Sequence, residues 1–287
     1  MKGAHRIAII LFGGVCLSLL CGCTENPLDK STISSKSRQI HGKVRLSDES
    51  SSEGVYVWLE GFNIGTFTDQ TGQFQVTLPP PETHGTPTGV NGVFNLYFYV
   101  ANYRLSSAEV VVQNGEYLPS WGDIDANGEI NGVISLRKLL RISTVVDPDT
   151  VTTSFEGPID VQVSLQATFD SVTVVFPKII EGSSGAILLK RLESGDVFVD
   201  IPDMSDSTQT IERIGPEIRN WNMVFNAGTG VLPEGQYEII PYFFIEQDSM
   251  PAGLLTSLSM NVKELGPDYL KIPFKREGGL FVVTGVD

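Results

Sequence analysis

Apolar and polar residues alternate through short stretches of this chain, and this period of two constrains its fold more than any other feature. Val55, Val57 and Leu59 would lie on one side of an extended segment. Tyr56 and Trp58 would lie on the other side. Successive side chains of a β-strand point to opposite faces, so the pattern predicts strands with one buried face. Gly, Pro, Asn and Asp interrupt the pattern every eight to fifteen residues or so, which is typical of an antiparallel all-β chain.

The same alternation predicts further strands along most of the chain. They cover residues 40–46, 73–78, 94–100, 105–112, 134–146, 159–167, 172–176, 186–192, 236–245, 269–274 and 280–284. Residues 254–265 are the one candidate for a short helix. A polar loop at 121–132 precedes the second run of strands, so we place a domain boundary near residue 140. The sequence therefore predicts an all-β fold of two β-sandwich domains, residues 39–140 and 141–287, with the strand 134–146 shared between them.

Residues 40 to about 112 resemble the carboxypeptidase regulatory-like domain, a transthyretin-like β-sandwich. Three blocks carry the resemblance: IHGKV at 40–44, GVYVWL at 54–59 and TFTDQTGQF at 66–74. In the third block Asp69 can accept backbone hydrogen bonds at a turn, Gly72 can take a positive φ and Phe74 can return to the core. The resemblance implies a mostly accessory, non-catalytic module. The alternation of predicted strands and turns in residues 141–287, with a turn at 232–237, indicates an immunoglobulin-like or fibronectin-like sandwich.

The start of the chain has the sequence pattern of a bacterial lipoprotein signal peptide. Lys2 and Arg6 precede an apolar stretch at 7–20, which is shorter than the roughly 20 residues that a spanning helix needs. Gly22 then stands directly before Cys23. We expect removal of residues 1–22 and attachment of lipid, such as palmitate, at Cys23. The polar residues 23–38 are expected to form a flexible tether.

These features predict a protein of the cell envelope, held at the membrane by its lipid. Thr24 follows the cysteine where some bacteria use aspartate to retain lipoproteins in the inner membrane. The outer membrane is therefore favoured if the cell has two membranes. After residue 22 the chain has 18 basic and 34 acidic residues, a net charge of −16. Nucleic acid is excluded as a partner, because its binding needs clustered Lys and Arg.

A short acidic segment has the opening of a calcium-binding loop, and no other cofactor is indicated. Its oxygen-bearing side chains alternate, with Gly128 in the sixth position: Asp123, Asp125, Asn127 and Glu129. The twelfth position is Ile134, where a bidentate carboxylate would normally complete the coordination. The alternative is a β-turn at Asn127 and Gly128, because that dipeptide is a strong hairpin signal.

Four aromatic residues are candidates for ligand binding, because the alternation places them on the face opposite the apolar one. They are Tyr56, Trp58, Tyr97 and Tyr99. If their strands share a sheet, these rings form an aromatic surface suited to sugars or to a protein partner. The alternative is that this face packs against the second domain or a neighbouring loop.

Catalytic residues are not indicated. After residue 22 the chain has only His41 and His84, and its one cysteine is Cys23, so a Ser-His or Cys-His pair has little support. We therefore predict a non-catalytic binding or scaffolding module that docks an envelope protein. A glycan-binding lipoprotein that uses the aromatic face is the alternative, and a hydrolase that uses paired carboxylates is the second.

Overall fold

The computed structural model describes residues 38–81, 89–177, 186–200, 209–227 and 232–285. The predicted signal peptide, Cys23 and almost all of the predicted tether lie outside these ranges. The strands are β1 (Gln39–Leu46), β2 (Tyr56–Leu59), β3 (Ile64–Phe67), β4 (Gln73–Thr77), β5 (Gly92–Tyr99), β6 (Ser106–Gln113), β7 (Glu116–Gly122), β8 (Glu129–Leu136), β9 (Leu140–Asp147), β10 (Thr150–Thr152), β11 (Pro158–Ala167), β12 (Val172–Pro177), β13 (Ile187–Arg191), β14 (Val197–Asp200), β15 (Gln209–Ile214), β16 (Arg219–Asn226), β17 (Gly235–Pro241), β18 (Phe244–Ile245), β19 (Glu277–Gly278) and β20 (Leu280–Thr284). Helix α1 covers Ala252–Leu258, and a 3₁₀ helix covers Pro267–Lys271.

The first half of the fold, residues 38–136, consists of two sheets that enclose one apolar core. One sheet has the order β4-β1-β8 and the other has the order β3-β2-β5-β6-β7. The alternating residues of β1 illustrate how the core forms, because Ile40, Val44 and Leu46 are buried while their neighbours are not. The predicted apolar face of β2 also lies in this core, where Val57 meets Phe98 of β5 across the sheet.

The second half, residues 140–285, surrounds a separate apolar core with three sheets. Their orders are β16-β11-β9-β19, β10-β20-β17-β13-β14 and β15-β12-β18. β11 is the central strand of the first of these sheets and pairs antiparallel with both β9 and β16. Its alternating Val161, Val163 and Leu165 are buried in the core. The predicted all-β sandwich class is therefore confirmed.

Three of the sequence predictions about local structure are wrong. The predicted strand 236–245 is divided into β17, which pairs with β13 and β20, and β18, which pairs with β12. Residues 134–146 form two strands and not one, because the chain leaves the first half after Leu136 and enters the second at Leu140. β8 pairs with β1, whereas β9 pairs with β11. The predicted strand at 269–274 is instead the 3₁₀ helix, whose Tyr269 is fully buried. The division into two domains near residue 140 stays a prediction.

The direction of β1 defines two ends of the first half. β1 begins at Gln39, and His41 donates its backbone N–H to Gly128 O at 2.9 Å, so the turn at 126–128 lies beside the start of the strand. We call this the entry end. At the other end Leu46 pairs with Leu136, the last residue of the first half. We call this the junction end, and eight residues of strand place it roughly 26 Å from the entry end.

Candidate functional site at the junction of the two halves

A third apolar cluster joins the two halves and contains residues from both. The first half contributes Tyr56, Trp58, Tyr99 and Ala101. The second half contributes residues of β13 and β17 together with the segment that holds α1 and the 3₁₀ helix: Ala186, Leu188, Ile240, Tyr242, Leu254, Leu255, Val262, Tyr269 and Ile272. Burial of this much apolar surface between the halves stabilises them in one arrangement.

The predicted exposed aromatic face is therefore wrong for three of its four residues. Tyr56, Trp58 and Tyr99 are buried, and only Tyr97 is partly exposed. The strands do share a sheet, since Tyr56 pairs with Tyr99 and Trp58 with Tyr97. The alternative interpretation, packing against the second half, is what the structure has. This burial removes the platform on which the glycan-binding alternative depended.

Helix α1 lies directly on Trp58. A Cβ atom at Gly253 would stand 3.0 Å from Cη2 of Trp58, so a larger residue there would push the helix away. Trp58 donates its indole N–H to Oδ1 of Asn63 at 3.3 Å, which satisfies its one polar group. The hydroxyl of Tyr56 lies 3.0 Å from that of Ser257 on α1. Beside α1 an open groove of about 490 Å³ remains, with Phe67 on its wall.

Hydrogen bonds from two amide side chains hold the loop after β5 at the junction. Asn102 is fully buried, and its side chain donates to Leu140 O at 3.0 Å and to Lys275 O at 2.9 Å. Its Oδ1 accepts from the backbone N–H of Lys275 at 3.0 Å. Gln247 accepts from the backbone N–H of Leu105 at 2.8 Å and donates to the carbonyl oxygens of Ala101 and Tyr103. Polar groups satisfied in this way fix the geometry of the junction.

A partly buried ion pair, in which Lys138 is buried and Asp48 is exposed, lies next to this loop. Nζ of Lys138 lies 2.7 Å from Oδ2 of Asp48, and the Tyr103 hydroxyl donates to the same carboxylate at 2.9 Å. Ser50 donates to Oδ1 at 2.5 Å. Desolvation alone would raise the pKa of Asp48, but these three hydrogen bonds and the charge of Lys138 outweigh it and hold the pKa well below its usual range. Burial raises the pKa of Tyr103.

A cleft of about 550 Å³ opens beside this ion pair, and four connections between strands line it. We call it the junction cleft. It is lined by Arg104 and Leu105 after β5, Arg137 and Leu139 between β8 and β9, Phe169, Asp170, Ser171, Val172 and Thr173 at the start of β12, and Glu246, Gln247, Asp248 and Ser249 after β18. Ligand sites occur preferentially where such structural units meet. The fold thus brings together residues that are up to 145 positions apart.

Charges of both signs line the junction cleft, around an arginine stacked on an aromatic ring. The guanidinium carbon of Arg137 lies 3.3 Å from the centre of the Phe169 ring, which is half exposed. The other exposed charges at the rim are Arg104, Asp170, Glu246 and Asp248. Among the ion pairs between described residues, none involves any of these five charged side chains. The cleft can therefore offer both cationic and anionic contacts to a ligand.

The candidate calcium loop forms a tight turn between β7 and β8. Oδ1 of Asp125 accepts the backbone N–H groups of Asn127 and Glu129, both at 2.8 Å, and these bonds lower the pKa of Asp125. The Asp123 side chain bonds outside this turn, since its Oδ2 accepts the backbone N–H of Glu109 on β6 at 2.7 Å. In the described parts of the chain no three His, Cys, Asp or Glu residues are grouped to hold a metal. The hydrogen bonds of Asp125 match the hairpin-turn alternative, and calcium binding by this loop stays a prediction.

We expect removal of calcium to leave the melting temperature unchanged, because the Asp125 carboxylate already serves as the acceptor within the turn. Thermal unfolding with added calcium and with excess chelator tests this. The variant Asp125→Ala should melt at a lower temperature in both conditions, since it removes the carboxylate that accepts the backbone N–H groups of Asn127 and Glu129. A melting temperature that falls with chelator and recovers with calcium would contradict the turn interpretation and support the calcium site.

Comparisons with known proteins do not assign a family. No family model matches the chain, and no curated protein matches it. Among solved structures, the major pilin subunit BcpA of Bacillus cereus is 10% identical over 73% of this chain, with a TM-score of 0.25. The TIE protein of Bacillus anthracis is 8% identical over 87% of this chain, with a TM-score of 0.22. The matched regions are 66% of the pilin and 50% of the TIE protein. At this identity and TM-score, neither likeness supports an argument about function.

The residues of the junction cleft were not predicted from the sequence. Arg104, Arg137 and Gln247 stand in separate polar loops, and nothing in their local sequence distinguishes them from other surface residues. Only the packing of the two halves places them around one cleft.

No helix in the described residues is both long and apolar enough to cross a bilayer.

Proposed function

We propose that this protein is a lipid-anchored protein of the cell envelope that acts as a non-catalytic binding module, with the junction cleft as the docking site for a protein partner. The observation that carries this proposal is the set of charges of both signs around the Arg137–Phe169 stack, which form no ion pair with any other described residue. A protein segment can present carboxylates to the arginines and ammonium groups to Asp170, Glu246 and Asp248. Nucleic acid could satisfy only the arginines.

The construction of the junction also supports binding. The cleft walls come from both halves, and Asn102 and Gln247 hold the connecting loop through buried or half-buried hydrogen bonds. A site whose walls are already ordered loses little entropy when a partner binds. The cleft also lies at the junction end of the first half, about one strand length from the entry end where the chain leads back towards Cys23.

Charge reversal in the cleft tests this function. The tagged protein would be purified from crosslinked membranes of its native host, and the recovery of co-purifying proteins quantified by mass spectrometry. We expect Arg137→Glu to reduce recovery of the partner about tenfold or more, because it adds a fourth negative charge to the cleft and removes the stacked cation. Arg141→Glu is the matched control, since Arg141 is an exposed arginine on the outer face of β9.

Three further outcomes of this experiment bear on the anchor and on docking itself. Cys23→Ser, which prevents lipid attachment, should lower recovery of a partner that resides at the membrane. Equal loss of the partner in Arg137→Glu and Arg141→Glu would contradict the cleft as the docking site. Recovery of the anchored protein alone would contradict protein docking as its function.

A further inference from the structure

An exposed tryptophan lies near the entry end of the first half. Trp121 is 65% exposed, whereas Trp58 and Trp221, the other tryptophans of the chain, are 4% and 3% exposed. Trp121 belongs to β7, and its neighbour Gly122 pairs with Val110 of β6. Four residues, 118–121, separate this pair from the next one, between Tyr117 and Val112, so the segment bulges out from the sheet.

The backbone holds this bulge in a defined conformation. Ser120 and Gly122, on either side of Trp121, have φ values of 64° and 67°. A non-glycine residue adopts such a positive φ only when surrounding contacts impose it. Here Ser120 donates its N–H to Ile124 O at 3.0 Å, and Asp123 donates its N–H to Glu109 O at 2.9 Å. Trp121 is thus presented to solvent from a fixed loop, although tryptophan is usually highly buried.

Other apolar residues accompany Trp121 near this end. Val93 is 61% exposed and pairs with the half-buried Val111 of β6, and Leu118 in the bulge is half buried. We call Val93, Val111, Leu118 and Trp121 the entry-end patch. The β5–β6–β7 edge that carries the patch ends near the start of β1. A Cβ at Gly128 would be 2.2 Å from Gln39 O and 2.8 Å from the Tyr117 hydroxyl, so Gln39 and Tyr117 are neighbours.

The length of chain before Gln39 indicates what can cover this patch. Fifteen residues separate Cys23 from Gln39, and a fully extended chain of that length spans at most about 50 Å. A bilayer that holds a lipid on Cys23 therefore lies within this distance of Gln39. Tryptophan prefers the interface between water and bilayer, where its ring is buried while its N–H stays hydrated. Glu109, Glu116 and Asp123 lie near the patch, so the interaction would be apolar and not an attraction to anionic lipids.

We propose that Trp121 and the entry-end patch dock on the surface of the bilayer to which the chain is anchored. This inference rests on lipid attachment at Cys23, which is part of the proposed function. Docking at the entry end orients the first half against the membrane and leaves the second half and the junction cleft directed away from it. The patch thereby supplies a second membrane contact beside the lipid, and two weak contacts anchor better than one.

Quenching by brominated lipid tests the proposal directly. Cys23 is the one cysteine after residue 22, so the mature chain, residues 23–287, can be coupled through it to a maleimide lipid in vesicles of neutral phosphatidylcholine. With brominated acyl chains we expect loss of the emission of one tryptophan in three and a blue shift of that emission. In Trp121→Phe, the remaining emission of Trp58 and Trp221 should be unaffected by bromine. Added salt should not change the quenching.

The outcomes separate this inference from the proposed anchoring. Absence of quenching while flotation shows that the coupled protein is bound to vesicles would overturn the inference. A blue shift without bromine quenching that grows with protein density would assign the patch to a second copy of the chain and would also overturn it. Mass spectrometry of the protein from its host tests lipid attachment at Cys23 separately. Absence of the lipid would overturn the anchoring, whereas the vesicle experiment measures the membrane contact of Trp121 independently.

Discussion

Replacement of Asp48 by asparagine should lower the free energy of unfolding at neutral pH by about 2 kcal/mol, below the range of roughly 3–5 kcal/mol for breaking a fully buried ion pair. The variant leaves the Lys138 ammonium, which is 6% exposed, without its carboxylate partner. The effect falls below that range because 27% of the Asp48 side chain is exposed and solvent screens its charge. Urea-induced unfolding of both proteins at pH 7 measures the difference.

The difference in the free energy of unfolding between the wild type and Asp48→Asn should diminish in acid. The folded-state pKa of Asp48 lies well below its unfolded value, so the folded protein gains stability from the ionised carboxylate above about pH 4 and loses it progressively as the pH falls further. The wild type should therefore begin to lose its advantage over Asp48→Asn below about pH 4 and lose the rest only as the pH falls through the lowered folded-state pKa. The double variant Asp48→Asn with Lys138→Met should recover most of the loss at pH 7, because it leaves no buried unpaired charge. Equal stability of wild type and Asp48→Asn at pH 7 would contradict the structural role of the pair.

Trp58→Ala should destabilise the protein by about 3–5 kcal/mol, the usual cost of truncating a buried aromatic residue. It removes the ring on which α1 packs and leaves a cavity between the two halves. Urea unfolding followed by tyrosine fluorescence or circular dichroism measures the change. The matched control is Trp121→Ala, whose ring is exposed and whose effect should stay within about 0.5 kcal/mol.

The comparison of these two tryptophans distinguishes the buried aromatic face from the exposed one that the alternation first indicated. An exposed face would let Trp58→Ala unfold with an unchanged midpoint, as Trp121→Ala should. A large loss for Trp58→Ala alone would show that the junction cluster contributes to global stability and not only to local packing. Equal effects of the two variants would contradict the described packing of the halves.

Local features were predictable where all the interacting atoms lie within a few residues. Asp69 was expected to accept backbone bonds at a turn, and its Oδ1 accepts from Thr71 and Gln73 at 2.8 and 2.9 Å. Gly72 has the expected positive φ of 80°, and Phe74 is buried. The turn at Asn127 and Gly128 follows the same reasoning, since a carboxylate two residues before the turn is enough to bond its backbone.

Strand prediction failed where apolar periodicity is weak or interrupted. β7 contains Pro119 and Gly122, both unfavourable in regular strands, and its bulge hides the alternation. β16 also lies outside the predicted strands, although Trp221, Met223 and Phe225 alternate with less buried residues, because the apolar Val224 interrupts the polar side of the pattern. Residues 269–274 predict a strand because they are mostly apolar, but a short apolar run does not distinguish a strand from a buried helical turn. Here the segment forms the 3₁₀ helix Pro267–Lys271, in which Tyr269 is buried.

The all-β class, the face to which each residue of β2 and β5 points, and turns such as those at Asp69 and Asp125 follow from the sequence, because all of these depend on neighbours close in the chain. The sequence also predicts the lipid attachment at Cys23, which lies outside the described residues. In contrast, the packing of the two halves covers Tyr56, Trp58 and Tyr99 and brings Arg104 and Arg137 into one cleft with Phe169 and Glu246. Alternation shows which residues share a face. What covers that face is settled by residues as far as 200 positions away, whose packing no local pattern encodes.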